Sequence, residues 1–374
     1  MFAARLFQYK IVNSLINSIL WLHLFHITLL MVMVGIFASL HTKRSHPIVQ
    51  TNRENDCEVS HRIAVIKHLS PASLNAYTTK DMPAPTKIII LYNPISTGPS
   101  RENAEDFANS LEGAGISRSV IDVRKTDYAG HGEKIAASVA GDDTTVIISS
   151  SGDGGYHEVI NGVLHSDTHG AATSLLPSGN ANDHYNALKS SRLLEKIAAF
   201  ETTTIDVLQI DAVIDGSPQR RFAHSYAGIG VTPQIGKKLT EAKLNPITEI
   251  FLVIKNLFRV SPVKIAINGK TYRYTSLVFS NISRMSKVLN LSDKASVTDG
   301  KFEITGSESS SIINLLRHLF AASVLGLKDV RQEETFQFRT LRPLTMQLDG
   351  EVYSLASNTD VTITCRKKIL TCIL

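Results

Sequence analysis

The chain has 374 residues, 43% of them hydrophobic and 20% charged, with a formal net charge of +5; this is ordinary globular material for roughly two domains. No basic run interleaved with aromatic residues marks a nucleic-acid groove, so nucleic acid is excluded as a partner, and a mild attraction to anionic lipid surfaces fits the charge as well. The three cysteines, Cys57, Cys365 and Cys372, lack metal-ligand or CxxC spacing, which argues against a disulfide framework and for a reducing compartment.

In chain order, the first feature is Leu15–Leu40, a run without formal charge that is long enough to cross a bilayer as a helix. Residues 1–45 are therefore expected to be a hydrophobic membrane segment. Asn17, His23, His26 and Thr28 weaken it, and Arg5, Lys10, Lys43 and Arg44 flank it too evenly to choose an orientation. A cleaved signal ending near Ala38, a surface-lying helix and an extension upstream of the true start are the alternatives. Residues 46–86 show no sustained period and read as a linker closed by Pro83 and Pro85.

From residue 87 the pattern alternates. Strands are expected at Lys87–Tyr92, Ser119–Arg124, Thr144–Ser150 and Ala172–Leu176, and helices at Arg101–Gly113, Gly132–Ala140, Gly155–His165 and Ala181–Lys189. Such alternation predicts an α/β domain over 87–200, a doubly wound parallel sheet with helices on both faces and ligands at the carboxyl ends of its strands. After residue 200 the strands predominate: Thr203–Val213, Arg221–Tyr226, Val263–Ile267, Tyr272–Phe279, Lys301–Ile304, Glu334–Phe338, Thr345–Leu348, Val352–Leu355 and Val361–Cys365. Helical patterns fall at Pro233–Lys243, Pro246–Phe258 and Ser311–Leu325. Residues 201–365 are thus expected to form a β-rich second domain, followed by a tail at 366–374.

Three of the four expected strand ends carry polar, glycine-containing loops. The first is Asn93-Pro94-Ile95-Ser96-Thr97-Gly98, the second Ser151-Gly152-Asp153-Gly154-Gly155, the third Pro177-Ser178-Gly179-Asn180-Ala181-Asn182-Asp183. Each could be a turn or a helix cap by itself; in this order on successive crossover units they point to one cleft. Glycines before a helix start suit an anion, because the backbone approaches closely and the helix offers unpaired N–H groups. A carboxylate in such a turn calls for a bound cation or a proton-transfer role.

These loops resemble the diacylglycerol kinase catalytic domain family, which also includes sphingosine, ceramide and bacterial lipid kinases. The resemblance rests on Asn93-Pro94 with Ser96 and Gly98, on Gly152-Asp153-Gly154 followed by His157-Glu158-Val159-Ile160-Asn161-Gly162, on Gly179 with Asn182-Asp183, and on Asp349-Gly350-Glu351. It covers about residues 87–365. It implies an NAD-kinase-like nucleotide domain, a β-rich domain supplying part of the lipid site, and ATP and Mg2+ as the phosphate donor and its cation. It also implies that Asn93, Pro94 and Ser96 lie near the base and sugar, that Ser151, Gly152, Asp153, Gly154 and Gly155 cradle the phosphates, and that Gly179, Asn180, Asn182 and Asp183 form the opposite wall. Glu158 is expected to orient the loop behind the nucleotide. Asp153, Asp349 and Glu351 are the catalytic candidates, with Asp349 favoured as base and Asp153 as organiser of magnesium and phosphates. His157 and His184 read as caps or surface groups, and Lys237-Lys238 as a solvated face.

The chain departs from the family pattern at three places. Ser151 and Gly155 replace a glycine and a threonine in the phosphate turn, Asn180 stands where a threonine is usual, and Asn281–Gly300 lacks the customary glycine-rich stretch and proline. The function implied is an ATP-dependent lipid kinase acting on a hydroxyl of a diacylglycerol-like or sphingoid membrane lipid, anchored by its N-terminal segment with the catalytic domain in the cytoplasm. The alternatives are phosphorylation of a soluble acceptor, as in NAD kinases, and a membrane-tethered nucleotide- or lipid-binding protein without transfer.

Overall fold

The computed structural model describes residues 84–168, 170–188, 191–230, 262–285, 289–308, 322, 326–327 and 330–374. The expected membrane segment, nearly all of the 46–86 linker with Cys57, the helical patterns at Pro233–Lys243 and Pro246–Phe258 with Lys237-Lys238, and nearly all of Ser311–Leu325 lie outside these residues. Among the described residues no helix is long and apolar enough to cross a membrane.

The first half is the expected α/β unit. Strands β1 (Lys87–Tyr92), β2 (Ile121–Lys125), β3 (Thr145–Ser151) and β4 (Ala172–Pro177) pair in parallel in the order β2-β1-β3-β4. Successive side chains of β1 leave on opposite faces. Ile88 and Ile90 pack under α1 (Ser100–Gly113) and α5 (Leu193–Ala198), and Ile89 and Leu91 under α2 (His131–Val139) and α3 (Asp153–His165). A short helix, α4 (Asp183–Leu188), follows β4.

Two boundaries and one element differ from expectation in informative ways. Residues 118–120 form a turn of 3-10 helix, so β2 starts at Ile121 and not at Ser119; the Ser117 side chain accepts from the Ser119 N–H and bends the chain there. Helix α3 starts at Asp153, two residues before the expected Gly155, which makes Asp153 part of its first turn. Helix α5 was not expected, because six residues carry too little periodicity.

The second half is β-rich: β5 (Thr203–Ile214), β6 (Ser217–Ala223), β7 (Tyr226–Gly230), β8 (Val263–Ile267), β9 (Lys270–Tyr274), β10 (Ser276–Ser280), β11 (Arg284–Met285), β12 (Leu289–Asn290), β13 (Phe302–Ser307), β14 (Arg331–Glu333), β15 (Thr335–Thr340), β16 (Leu344–Leu348), β17 (Glu351–Leu355) and β18 (Asp360–Cys372). The run expected as Arg221–Tyr226 is broken at His224-Ser225, and that expected as Tyr272–Phe279 is broken at Thr275, whose N–H turns to the Ser307 carbonyl. Phe279, Phe302, Phe336 and Phe338 fill the core of this half with Leu277, Met346 and Leu348.

The expected tail at 366–374 is instead structural. Strand β18 runs on to Cys372, antiparallel to β5 and, at its end, parallel to β4. A bulge between Arg366 and Leu370 re-aims it. There Lys368 is left-handed (φ 51°) and gives its N–H to the buried Asp206 carboxylate at 2.7 Å. Leu370, Cys372 and Ile373 are buried, and the Ile373 N–H reaches the Thr173 carbonyl. The short apolar stretch covers the open edge of β4, so β18 and β5 join both halves into one 16-stranded sheet.

Candidate active site

The three loops meet backbone to backbone at the carboxyl ends of β1, β3 and β4. The Gly98 N–H donates to the Ser178 carbonyl at 2.9 Å, and the Ser178 N–H to the Ser151 carbonyl at 2.9 Å. A β-carbon on Gly179 would stand 2.3 Å from Gly152 Cα, and one on Gly98 2.8 Å from Ser178 O. These glycines are therefore required by contact between loops. Asn182, left-handed at φ 51°, closes its own turn with two 2.9 Å bonds to Gly179, and Asn93 accepts from the Ile95 N–H at 3.0 Å. Asn180 and Pro94 are exposed, and Ser96 is half-buried in the first turn.

The residues after the glycine turn each have a visible task. Glu158 accepts from the N–H groups of Gly130 at 2.6 Å and Gly132 at 2.9 Å, holding the start of α2; burial raises its pKa against those two bonds. Asn161 clips onto β6 with reciprocal 2.9 Å bonds to the Phe222 backbone. Gly162 admits α2, since a β-carbon there would stand 2.3 Å from the Glu133 carbonyl. A small cleft opens among Asn93, Ser149, Ser151, Gly155, Glu158, Thr126 and Gly132. Thr126 and Gly132 escaped the sequence reading. The signal was available, because Thr126 follows β2, the one strand end of the four left out of the cleft.

The replaced threonine finds a physical explanation here. A β-carbon on Gly155 would lie 2.3 Å from Ser151 Oγ and 2.6 Å from Ser151 Cβ. The serine hydroxyl thus occupies the space of a side chain at 155, and the turn keeps a hydroxyl by moving it across to β3.

Asp349-Gly350-Glu351 arrives at this turn from the other half of the chain. Asp349 and Gly350, at φ 49° and 107°, form the two-residue turn between β16 and β17, a conformation that Asp-Gly favours. Glu351 Oε1 would touch a β-carbon on Gly154 at 2.6 Å. The Asp349 carboxylate is fully buried and accepts four hydrogen bonds: from the N–H groups of His224 (2.8 Å), Ser225 (2.9 Å) and Tyr226 (3.0 Å), and from His157 Nδ1 (3.1 Å). The break between β6 and β7 is what aims three consecutive amides at it. Burial alone would raise its pKa, but His224, His157 and the backbone donors hold it down to about 2. His224 is itself kept neutral near pH 7 by burial, so at neutral pH the hydrogen bonds carry this effect.

Asp153 goes the other way. It is 8% exposed and accepts from the N–H groups of Asp183 and His184, each at 3.1 Å. Burial first, then the Asp183 charge, lift its pKa to about 7, and Asp349 adds to the rise. His157 and His184, expected as caps or surface groups, are buried. His157 Nε2 meets Tyr353 Oη at 2.9 Å and links α3 to β17; His184 and His224 share the Ser225 hydroxyl. Sequence periodicity could not find the His224-Ser225-Tyr226 nest, because it is a break in a strand that the chain pattern reads as continuous.

Residues 87–210 match the diacylglycerol kinase catalytic domain. A Xanthomonas campestris protein named "Probable lipid kinase YegS-like" is 26% identical over 293 residues, covering 72% of this chain and 90% of its own. Over residues 87–210 the chain is similar to the diacylglycerol kinase catalytic domain family. A Staphylococcus aureus diacylglycerol kinase is 23% identical over 281 residues, covering 70% of this chain and 85% of its own. A solved diacylglycerol kinase structure from Bacillus anthracis shares the fold, with a TM-score of 0.54 and 17% identity over 77% of this chain and 96% of that one. The protein is accordingly an enzyme of the lipid kinase class, a phosphotransferase.

Among the described residues no three His, Cys, Asp or Glu side chains cluster to hold a metal ion directly. The donor set still suits a cation held mainly by phosphates and water. Each Asp153 oxygen has one backbone donor and keeps a lone pair, and the Glu351 carboxylate is exposed beside Gly154. Magnesium commonly binds through one or two carboxylates in this manner.

Proposed function

We propose that the enzyme transfers the γ-phosphate of ATP to a hydroxyl of a membrane lipid, a diacylglycerol-like or sphingoid acceptor. The observation that carries this reading is the approach of the Asp349-Gly350-Glu351 turn to the Gly152–Gly155 turn. In this reading the donor cleft lies on one side of Asp153 and the β-rich half on the other. Asn93, Thr126, Ser151, Gly155 and Glu158 would bound the nucleotide, and the first-turn amides of α3 would face its phosphates. Magnesium, when bound, would neutralise phosphate charge beside Asp153 and Glu351.

The chemistry asks for positioning and charge neutralisation. The acceptor oxygen forms the new bond to the γ-phosphorus, the bond to the β,γ-bridging oxygen breaks, and ADP leaves. The acceptor proton needs a base, and we assign it to Asp153 in place of the favoured Asp349. A base should have a pKa near the operating pH, which Asp153 has at about 7. Asp349, at about 2 and with four donors, anchors the hairpin that brings Glu351 in. The Leu15–Leu40 run would keep the enzyme at the membrane, with this half of the chain on the cytoplasmic side where ATP is.

The test is transfer of radiolabelled phosphate from ATP to a lipid panel by the full chain, with NAD assayed beside it. Asp153→Asn should lose about 100-fold or more, in line with general-base catalysis. Full activity in that variant would remove the base assignment, and phosphorylation of NAD alone would remove the lipid reading.

A further inference from the structure

The β16–β17 hairpin meets helix α3 through the side chains of Asp349, Glu351 and Tyr353. Glu351 and Tyr353 stand two positions apart on β17, so their side chains leave the same face. Gly154 and His157 stand three positions apart on α3 and share a face as well. Glu351 Oε1 lies against Gly154, where a β-carbon would meet it at 2.6 Å, and Tyr353 Oη meets His157 Nε2 at 2.9 Å. These two contacts differ in kind. Among the described residues no ion pair holds the exposed Glu351 carboxylate. Tyr353 is held twice, by His157 and by the Arg221 guanidinium, which lies 5.6 Å from its ring and is itself bound to Glu133 at 2.7 and 2.8 Å.

The neighbours of His157 set the direction of its bonds. An ionised carboxylate only accepts, so Nδ1 carries the hydrogen that Asp349 receives at 3.1 Å. Nε2 faces the Asn161 amide nitrogen at 3.3 Å, and the orientation of that amide is set by the Phe222 N–H, which donates to its oxygen at 2.9 Å. Nε2 therefore presents a lone pair, and the Tyr353 hydroxyl donates to it. One imidazole thus grips the hairpin at Asp349 and again at Tyr353, with Glu351 between the two.

We propose that His157 and Tyr353 are positioning residues for Glu351, holding its carboxylate against the phosphate turn where it would reach the magnesium of a bound nucleotide. The inference rests on the reading of Glu351 as a carboxylate on the magnesium side of the site. Neither residue touches the reacting atoms; both act through the hairpin, whose Asp349 end is already fixed by the His224, Ser225 and Tyr226 amides. The Tyr353 bond fixes the other end, and without it the strand carrying Glu351 is tied to α3 on one side only.

Calorimetric titration of ATP into the full chain, with and without magnesium, tests it. Tyr353→Phe removes the hydroxyl and keeps the ring beside Arg221; His157→Asn keeps a donor for Asp349 and removes the acceptor for Tyr353. Each should weaken the magnesium-dependent gain in ATP affinity by about three- to tenfold, the range of one neutral hydrogen bond, with the affinity in the absence of magnesium as the reference. In the Glu351→Gln background neither should have a further effect, and the two changes together should do no more than either alone. In transfer assays the same variants should raise the magnesium concentration for half-maximal rate by the same factor. An undiminished magnesium gain in both variants, an equal loss with and without magnesium, or an equal loss in the Glu351→Gln background makes the pair structural only and overturns the proposal. A magnesium gain that Glu351→Gln leaves intact overturns it too, while leaving the kinase. The expected pattern of ATP binding in a wild type that phosphorylates no lipid supports the pair and overturns the lipid kinase reading.

Discussion

Asp153 and Asp349 face each other across the two turns, and their surroundings push them apart. For Asp349 the folded carboxyl, at about 2, lies below its ordinary 3.8, so the folded state gains from ionisation. That gain is complete above pH 4, is lost as pH falls through about 2, and amounts to roughly 2 kcal/mol. Asp349→Asn should remove it and leave amide hydrogens against backbone donors, at a cost of about 3 kcal/mol or more. Chemical denaturation at pH 7 measures this, and an unchanged midpoint would refute the anchoring role. For Asp153 the sign reverses. The folded group keeps its proton to about 7 while the unfolded one ionises near 3.8, so the folded state loses stability from pH 4 to 7, where only the unfolded carboxyl is ionised. If that carboxylate is the base, kcat/KM, which reports the free enzyme, rises with pH and levels off above about 7. The rise should vanish from the residual activity of Asp153→Asn; a flat wild-type profile from pH 5 to 8 would argue against a base of this pKa.

The glycine turn connects β3 to α3, and its altered spelling is legible only in three dimensions. Ser151 and Gly155 read in the sequence as two separate losses, whereas the 2.3 Å approach of Ser151 Oγ to a β-carbon at 155 makes them one exchange. Gly155→Thr alone should therefore be overpacked, losing about 1–3 kcal/mol and most nucleotide affinity. The double change Ser151→Gly with Gly155→Thr should recover both, as read by thermal melting and ATP titration. Additive damage in the double variant would show that the two positions are independent. The same elements explain what was legible beforehand and what was not. Strands β1 and β3 are legible almost to the residue because Ile88–Leu91 and Val146–Ile148 are continuous apolar runs, buried on both faces as central parallel strands are. The three loops were found because glycine, proline and asparagine mark backbone that must turn. The tasks of Asn161, Gly162 and His157 were hidden, because their partners Phe222, Glu133 and Asp349 lie on elements whose contact no local pattern encodes. The hidden contacts are long-range and polar, the class to which hydrophobic periodicity is blind.

The whole molecule depends on a strand that the sequence presents as a tail. β18 pairs with β5 from Thr362–Asp211 to Cys372–Thr203 and ends against Thr173 of β4, so its last residues close the parallel sheet while its first belong to the antiparallel half. The bulge between these parts is tied to Asp206, which also accepts from the Gly300 N–H at 2.6 Å. Lys196 of α5 reaches the Leu374 carbonyl at 2.7 Å. Deleting residues 369–374 would expose Ile205, Leu370's neighbour in β5, with the apolar edge of β4 and the underside of α5. Leu370, Cys372 and Ile373 are fully buried, and losing a buried side chain of this size costs about 2–5 kcal/mol each. A domain of ordinary stability, about 5–15 kcal/mol, would not survive the deletion folded. Leu370→Ala, a milder change, should lower stability by about 2–5 kcal/mol and leave the KM for ATP unchanged, since Leu370 is not among the residues that line the cleft. A deletion variant that melts like the parent would make β18 an ornament and leave the two halves to fold as separate units; a cooperative loss of both would make this strand the hinge on which Asp349 is brought to Asp153.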